Sequence, residues 1–257
     1  MRIFHFCFLL IALLTVPAAC RTAETREEPT VETEESGGPR QELEQIRSAY
    51  APPACYLANF TVTGRLPGQG ERSARGTIRA DNENDRMVLE FRDPFLGITI
   101  SRVVIRDGFA FVRSAEQGTL APIPLNQFYV QGLGNNGIQL PFVAFQDLLY
   151  ARLPAALFEP GARLQQEQSR LEVLIGNTAQ SYRYEFEERR LRTLKYASAN
   201  PPANIDVTLE GAYRDSQFPE SINMQAGPGS QSGELLRLDF RSVDQIASCA
   251  EYLFARP

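Results

Sequence analysis

Apolar and polar residues alternate through segment after segment of this chain, and a period of two commits the backbone to β-strands. Met87, Leu89 and Phe91 fall on one face, with Glu90 and Arg92 on the other. Tyr182, Tyr184 and Phe186 alternate with Arg183, Glu185 and Glu187. Ile205, Val207 and Leu209 alternate with Asp206, Thr208 and Glu210, and Leu236, Leu238 and Phe240 with Arg237, Asp239 and Arg241. Strands that bury one face in this way pair antiparallel. Asp107-Gly108 carries hairpin chemistry, and Glu187 to Arg190 turns the chain between two strands. Helices are few. Gln41 to Tyr50 sets Leu43, Ile46 and Tyr50 on one face and stops at Pro52-Pro53. Between Pro141 and Leu153, Phe142, Phe145, Leu148 and Leu149 recur at helical spacing, and Pro124 to Val130 supplies another turn or two. The expected fold class is α+β, mainly β: a long, curved antiparallel sheet with helices closing over one face. No internal repeat is visible, which sets aside propellers and solenoids.

The amino terminus is of another kind. Met1 and Arg2 give a basic start, Ile3 to Val16 is almost wholly apolar, and Pro17-Ala18-Ala19 places small residues directly before Cys20. Residues 1–19 read as a secretory signal peptide. The apolar run falls short of the roughly 20 residues that a spanning helix needs. The segment resembles a bacterial lipoprotein signal, which implies acylation of Cys20; ordinary secretion is the alternative. From Arg21 to Gly38 there are six Glu against two Arg and no aromatic residue, so residues 20–38 read as a solvated acidic tether. Residues 39–257 then form one sizeable domain. Cys55 and Cys249 remain near its two ends, and an even pair in an exported protein is most simply a disulfide; metal binding is the weaker reading.

Several activities lose their chemistry. The chain carries 26 basic and 31 acidic side chains, a net charge of −5, which offers no strong basic field for nucleic acid. Its one histidine, His5, leaves with the signal, so the mature chain holds no Ser-His-Asp or Cys-His arrangement. Asp81, Glu83 and Asp85 have the opening spacing of a calcium loop, but Arg86 replaces its glycine and Arg92 its bidentate glutamate. A solvated turn is expected there. Asn59-Phe60-Thr61 matches a glycosylation sequon in a strand context, and Gly64 to Gly76 lacks the order of a phosphate cradle. Paired carboxylates for glycoside hydrolysis meet only in space and stay open. The expectation is a binding protein without a cofactor.

Arg86-Met87-Val88-Leu89-Glu90-Phe91-Arg92-Asp93-Pro94-Phe95-Leu96-Gly97-Ile98-Thr99-Ile100 resembles the strand, Pro-Leu-Gly loop and strand of the LolB outer-membrane lipoprotein receptors. Leu140 to Pro154 is similar to that family's proline-initiated helix ending in Leu-Pro, and Phe218 to Ile222 followed by Leu235 to Val243 to its closing strands. The resemblance implies an unclosed β half-barrel with a helical lid, shared with the soluble periplasmic carrier LolA, whose interior takes acyl chains. It implies an outer-membrane, periplasm-facing lipoprotein that receives acylated lipoproteins or lipid from a LolA-like carrier and inserts them. Arg21, rather than Asp, after the lipidated cysteine agrees with that address. Leu89, Phe91, Ile98, Ile100, Phe109, Phe111, Tyr184, Leu209 and Leu238 are the expected cavity lining, with an ordinary packed core as the alternative. Phe95 and Leu96 are the expected membrane-insertion loop; folding under the barrel edge is the alternative. A lipoprotein of the same fold that binds another lipid or glycolipid, or one packed solid, are the competing functions.

Overall fold

Pro39 opens the first helix, α1 (Pro39–Ala49), where its missing N–H would have been unpaired in any case. Leu43 and Ile46 are fully buried on its inner face, and the helix stops at Tyr50, ahead of the two prolines. The Tyr50 hydroxyl accepts from the Leu191 N–H at 2.9 Å and Arg189 pairs with Glu42 at 3.1 Å, which docks α1 on a β-hairpin far along the chain. The computed structural model describes residues 38–66, 70–131, 139–200, 202–212, 218–226, 234–246 and 248–257. The expected signal peptide, Cys20 and the tether as far as residue 37 lie outside the described residues.

The alternating segments are strands. β1 (Cys55–Leu66), β2 (Gly70–Asp81), β3 (Arg86–Arg92), β4 (Thr99–Arg106), β5 (Phe109–Ser114), β6 (Gly118–Thr119) and β7 (Ile123–Pro124) form the first meander. A two-stranded ribbon, β8 (Tyr129–Gln131) with β9 (Gln139–Pro141), leads into a 3₁₀ turn at Phe142–Ala144 and the single-turn helix α2 (Gln146–Leu149). The second meander is β10 (Arg163–Glu167), β11 (Arg170–Gly176), β12 (Gln180–Glu187), β13 (Arg190–Ala199), β14 (Pro202–Glu210), β15 (Ser221–Ala226) and β16 (Glu234–Gln245).

Both meanders belong to one 14-stranded sheet, ordered β10-β11-β12-β13-β14-β15-β16-β1-β2-β3-β4-β5-β6, with β7 also on β5. Every pairing is antiparallel. The earliest and latest long strands therefore meet at a seam, β1 on β16, and each meander runs outward from it. β10 and β6 end the sheet without pairing with each other, so it is not closed. Cys55 and Cys249 are joined across the end of the seam, their Cα atoms 5.6 Å apart. Asp107 and Gly108, both at positive φ, make the expected tight turn, as do Glu188 and Arg189.

One face of the sheet carries the main core, which runs from Tyr56 and Phe60 through Ile78, Leu89 and Val103, and on to Leu194, Val207 and Leu238. The opposite face of β3, β4 and β5 is also apolar. Val88, Val104 and Phe111 are covered there by Phe254 from a 3₁₀ turn at Glu251–Phe254. This C-terminal segment is fastened by Arg102, which donates to the Leu253 carbonyl at 3.1 Å.

Two expectations need correction. Asp81 is 2% exposed rather than part of a solvated turn, since it accepts hydrogen bonds from Arg86 and from the Asn84 backbone and side chain. Burial alone would push its carboxyl up, but the bonds from Arg86 and Asn84 outweigh that and hold it below the usual carboxylate range. The helix expected between Pro141 and Leu153 is only the 3₁₀ turn followed by one α-turn. Phe142, Ala144, Phe145, Leu148, Leu149 and Tyr150 are all buried, so this segment has no polar face to sustain a surface helix, and Ala151 at φ 53° ends it.

Candidate functional site

The core does not fill the inner face. Beside β1, β3, β4, β5 and β16 lies a cavity of about 510 Å³, within the range of small-molecule sites. Phe60 and Val62 of β1, Leu89 and Phe91 of β3, Val103 of β4 and Val112 of β5 form its floor, with Leu236 and Leu238 of β16 and Met224 of β15 alongside. Phe128, Phe142, Phe145 and Leu149 line it from the segment between the meanders. The aromatic rings brace one another, Phe142 against Phe145 at 5.4 Å and against Phe128 at 5.5 Å between centroids. Arg152 holds this segment to the sheet, since it pairs with Asp147 at 2.7 Å and with Asp85 in the β2–β3 turn, and lies over the Tyr150 ring.

Ser101, Gln117, Gln127 and Tyr129 are the polar lining residues, and no carboxylate, guanidinium, amine or thiol is among the described lining residues. Such a wall gives a ligand burial and dispersion with a few hydrogen bonds at polar points. Among the described residues no cluster of His, Cys, Asp or Glu is arranged to hold a metal.

Solved structures of known fold match this arrangement. A LolA-superfamily protein from Nitrosomonas europaea superposes with a TM-score of 0.55 at 13% identity, covering 84% of this chain and 96% of that one. The fold is that of the LolA superfamily. A putative outer membrane lipoprotein-sorting protein domain from Vibrio parahaemolyticus gives a TM-score of 0.59 at 9% identity, and a DUF1329-family protein from Desulfovibrio piger 0.59 at 5%; each pairing covers 84% of this chain and 95% of the other. No family model matches the sequence, and no match is found among curated proteins.

Within this LolA-type sheet the expected lining residues separate. Leu89, Phe91 and Leu238 are on the cavity wall. Ile98, Ile100, Phe109, Phe111, Tyr184 and Leu209 are not. The first four have the wrong parity. Ser101 and Val103 face inward on β4, and Ala110 and Val112 on β5, so Ile98, Ile100 and Phe109 are left exposed at 60%, 42% and 40%. Phe111 belongs to the outer cluster under Phe254. Tyr184 and Leu209 are buried where core side chains close the inner face, and burial pushes the Tyr184 phenol well up. Val103 and Val112 were not singled out, although they stand in register with each other and with Leu89, so cross-strand pairing identifies them once the hairpin at Asp107-Gly108 is placed. Phe60 and Val62 alternate with the polar Asn59, Thr61 and Thr63, a period of two that is the signal in the sequence that finds them.

Phe95 and Leu96 stand at the end of β3, four and five residues beyond Phe91 of the cavity wall, and are 94% and 75% exposed. They do not fold under the sheet edge. The Asp93 carboxylate accepts from the Phe95 N–H at 2.9 Å and the Leu96 N–H at 2.7 Å, and Gly97 at φ 69° returns the chain so that the Asp93 N–H donates to the Ile98 carbonyl. The turn is thus internally hydrogen-bonded while its two large side chains stand exposed.

Proposed function

We propose that this protein is a lipid-anchored receptor that accepts the acyl chains of lipoproteins from a soluble LolA-like carrier and releases them into the outer membrane. In this reading residues 1–19 are removed, Cys20 is acylated, residues 20–38 tether the domain, and residues 39–257 carry the cavity. The observation that carries it is the pairing of an apolar cavity with a braced, exposed Phe95-Leu96 turn a few residues from its wall. An alkyl chain gains about 0.8 kcal/mol per methylene on leaving water, so transfer across the periplasm needs an apolar host at each stop. The Phe142–Leu149 segment serves as a lid over that host, and Phe95 and Leu96 enter the bilayer at the point of release. No energy cofactor takes part.

The size of the cavity favours a second reading. At about 510 Å³ the cavity lies in the range of sites that hold one small ligand, roughly 300–1,000 Å³. A lipoprotein of this fold that carries a single-chain lipid or glycolipid fits that volume as it stands. Transfer of a triacylated lipoprotein from a LolA-like carrier to this protein, and on to vesicles, separates the two. The receptor reading expects handover and its loss in Phe95→Glu/Leu96→Glu with the fold intact. Uptake of free lipid with no handover favours the second reading.

A further inference from the structure

The apolar turn does not end at Leu96. Ile98 and Ile100, 60% and 42% exposed, continue it into β4, so a ribbon of bulky apolar side chains runs from Phe95 to Ile100. Arginines flank it on both sides. Arg92 ends β3 immediately before the turn and lies opposite Thr99, with Arg75 of β2 as its own cross-strand partner. Across the ribbon, Arg113 of β5 is opposite Arg102 of β4, and the Ala115 N–H donates to the Ile100 carbonyl at 2.8 Å, which holds the end of β5 against it. Arg75, Arg92 and Arg113 are exposed. Among the described residues Arg75 and Arg113 make no ion pair, and Arg92 is paired with Glu90. Glu90 and Asp93 lie beside the wedge, but Glu90 is committed to Arg92 and the Asp93 carboxylate to the Phe95 and Leu96 N–H groups, which leaves Arg75 and Arg113 as exposed cations outside those pairings.

We infer that this face docks on a bilayer containing anionic phospholipid, with Phe95, Leu96, Ile98 and Ile100 among the acyl chains and Arg75, Arg92 and Arg113 on the lipid phosphates. The inference rests on the insertion role proposed for Phe95 and Leu96 and adds the headgroup chemistry that selects the surface. Guanidinium forks match phosphate oxygens in geometry and charge. An acidic protein would satisfy the arginines equally, but a projecting turn needs a matching hole in a folded partner, whereas a fluid bilayer closes around any wedge.

The test uses the mature chain, residues 20–257, carrying Cys20→Ser, so that neither an acyl anchor nor the apolar signal segment contributes, sedimented with phosphatidylcholine vesicles and with vesicles that also contain phosphatidylglycerol. The anionic vesicles should bind more tightly, and added salt should erase the difference. Arg75→Gln and Arg113→Gln should each weaken anionic binding about fivefold and leave binding to phosphatidylcholine unchanged. Equal binding to both vesicles, or arginine variants that bind like the parent, would overturn the inference while sparing the insertion turn. Binding to polyglutamate with no affinity for either vesicle would assign the patch to an acidic protein and overturn both.

Discussion

Replacing Gly76 with alanine should destabilise this domain, against the direction that strand propensity gives. A glycine inside a strand costs about 0.5–1 kcal/mol relative to alanine, so propensity alone forecasts a more stable variant. Gly76 of β2 is the cross-strand partner of Phe60, whose ring reaches over the glycine with its Cζ end. A Cβ at position 76 would sit 2.1 Å from Phe60 Cζ and 2.3 Å from its Cε2. The ring must retreat by more than an ångström to reach ordinary contact, and the rings of Phe91 and Phe240, at 6.0 and 5.8 Å between centroids, limit where it goes. Overpacking of this kind costs about 1–3 kcal/mol, which outweighs the propensity gain and leaves a net loss of about 1–2 kcal/mol. Urea unfolding followed by far-ultraviolet circular dichroism reads the difference. Phe60→Leu in the same chain should recover part of the loss, because the two sites share one contact. A Gly76→Ala variant as stable as the parent, or more so, would refute the placement of Phe60 and with it the cavity floor.

Further outcomes follow from the same structure. Cys55→Ser/Cys249→Ser opens a loop of 194 residues, and the chain-entropy account puts the loss near 5 kcal/mol; equal urea midpoints with and without the bond would contradict it. Asp81 has its folded pKa below the unfolded value of about 3.9, so the stability it contributes is present above that pH and is lost as pH falls through the folded pKa. Asp81→Asn should cost about 3 kcal/mol at neutral pH and flatten the acid limb of the stability profile, measured by urea midpoints from neutral to acid pH. Binding of single-chain lipids by calorimetry should strengthen about fourfold per added methylene for as long as the added carbons are buried in the cavity, and level off beyond that length; affinity independent of chain length would contradict an acyl site.

How much of this was legible in the sequence depends on how many faces of each strand are buried. β14 and β16 bury one face, and their alternation gives both element and orientation. β4 and β5 bury both, because the C-terminal turn brings Phe254 over Val88, Val104 and Phe111. Their sequences are apolar on either parity, and a slip of one residue moves every side chain to the other face. That is why Ile98, Ile100, Phe109 and Phe111 looked like lining while Val103 and Val112 did not. Asp81 misled because its partner Arg86 is itself held by a residue remote in sequence, Glu251 at 3.4 Å. The Phe95-Leu96 turn was readable because Asp93, Pro94 and Gly97 specify a turn locally, and two large apolar residues between them have no local reason to be there.

In the proposed function the cavity lined by Phe91, Leu89 and Leu238 holds an acyl chain. Native mass spectrometry with lipid extraction, on the Cys20→Ser chain purified from a bacterial envelope and again after incubation with acylated lipopeptide, tests it most directly. Bound acyl chains, lost in a folded Phe91→Glu variant, are the predicted result. A protein that stays empty under both conditions would contradict the account.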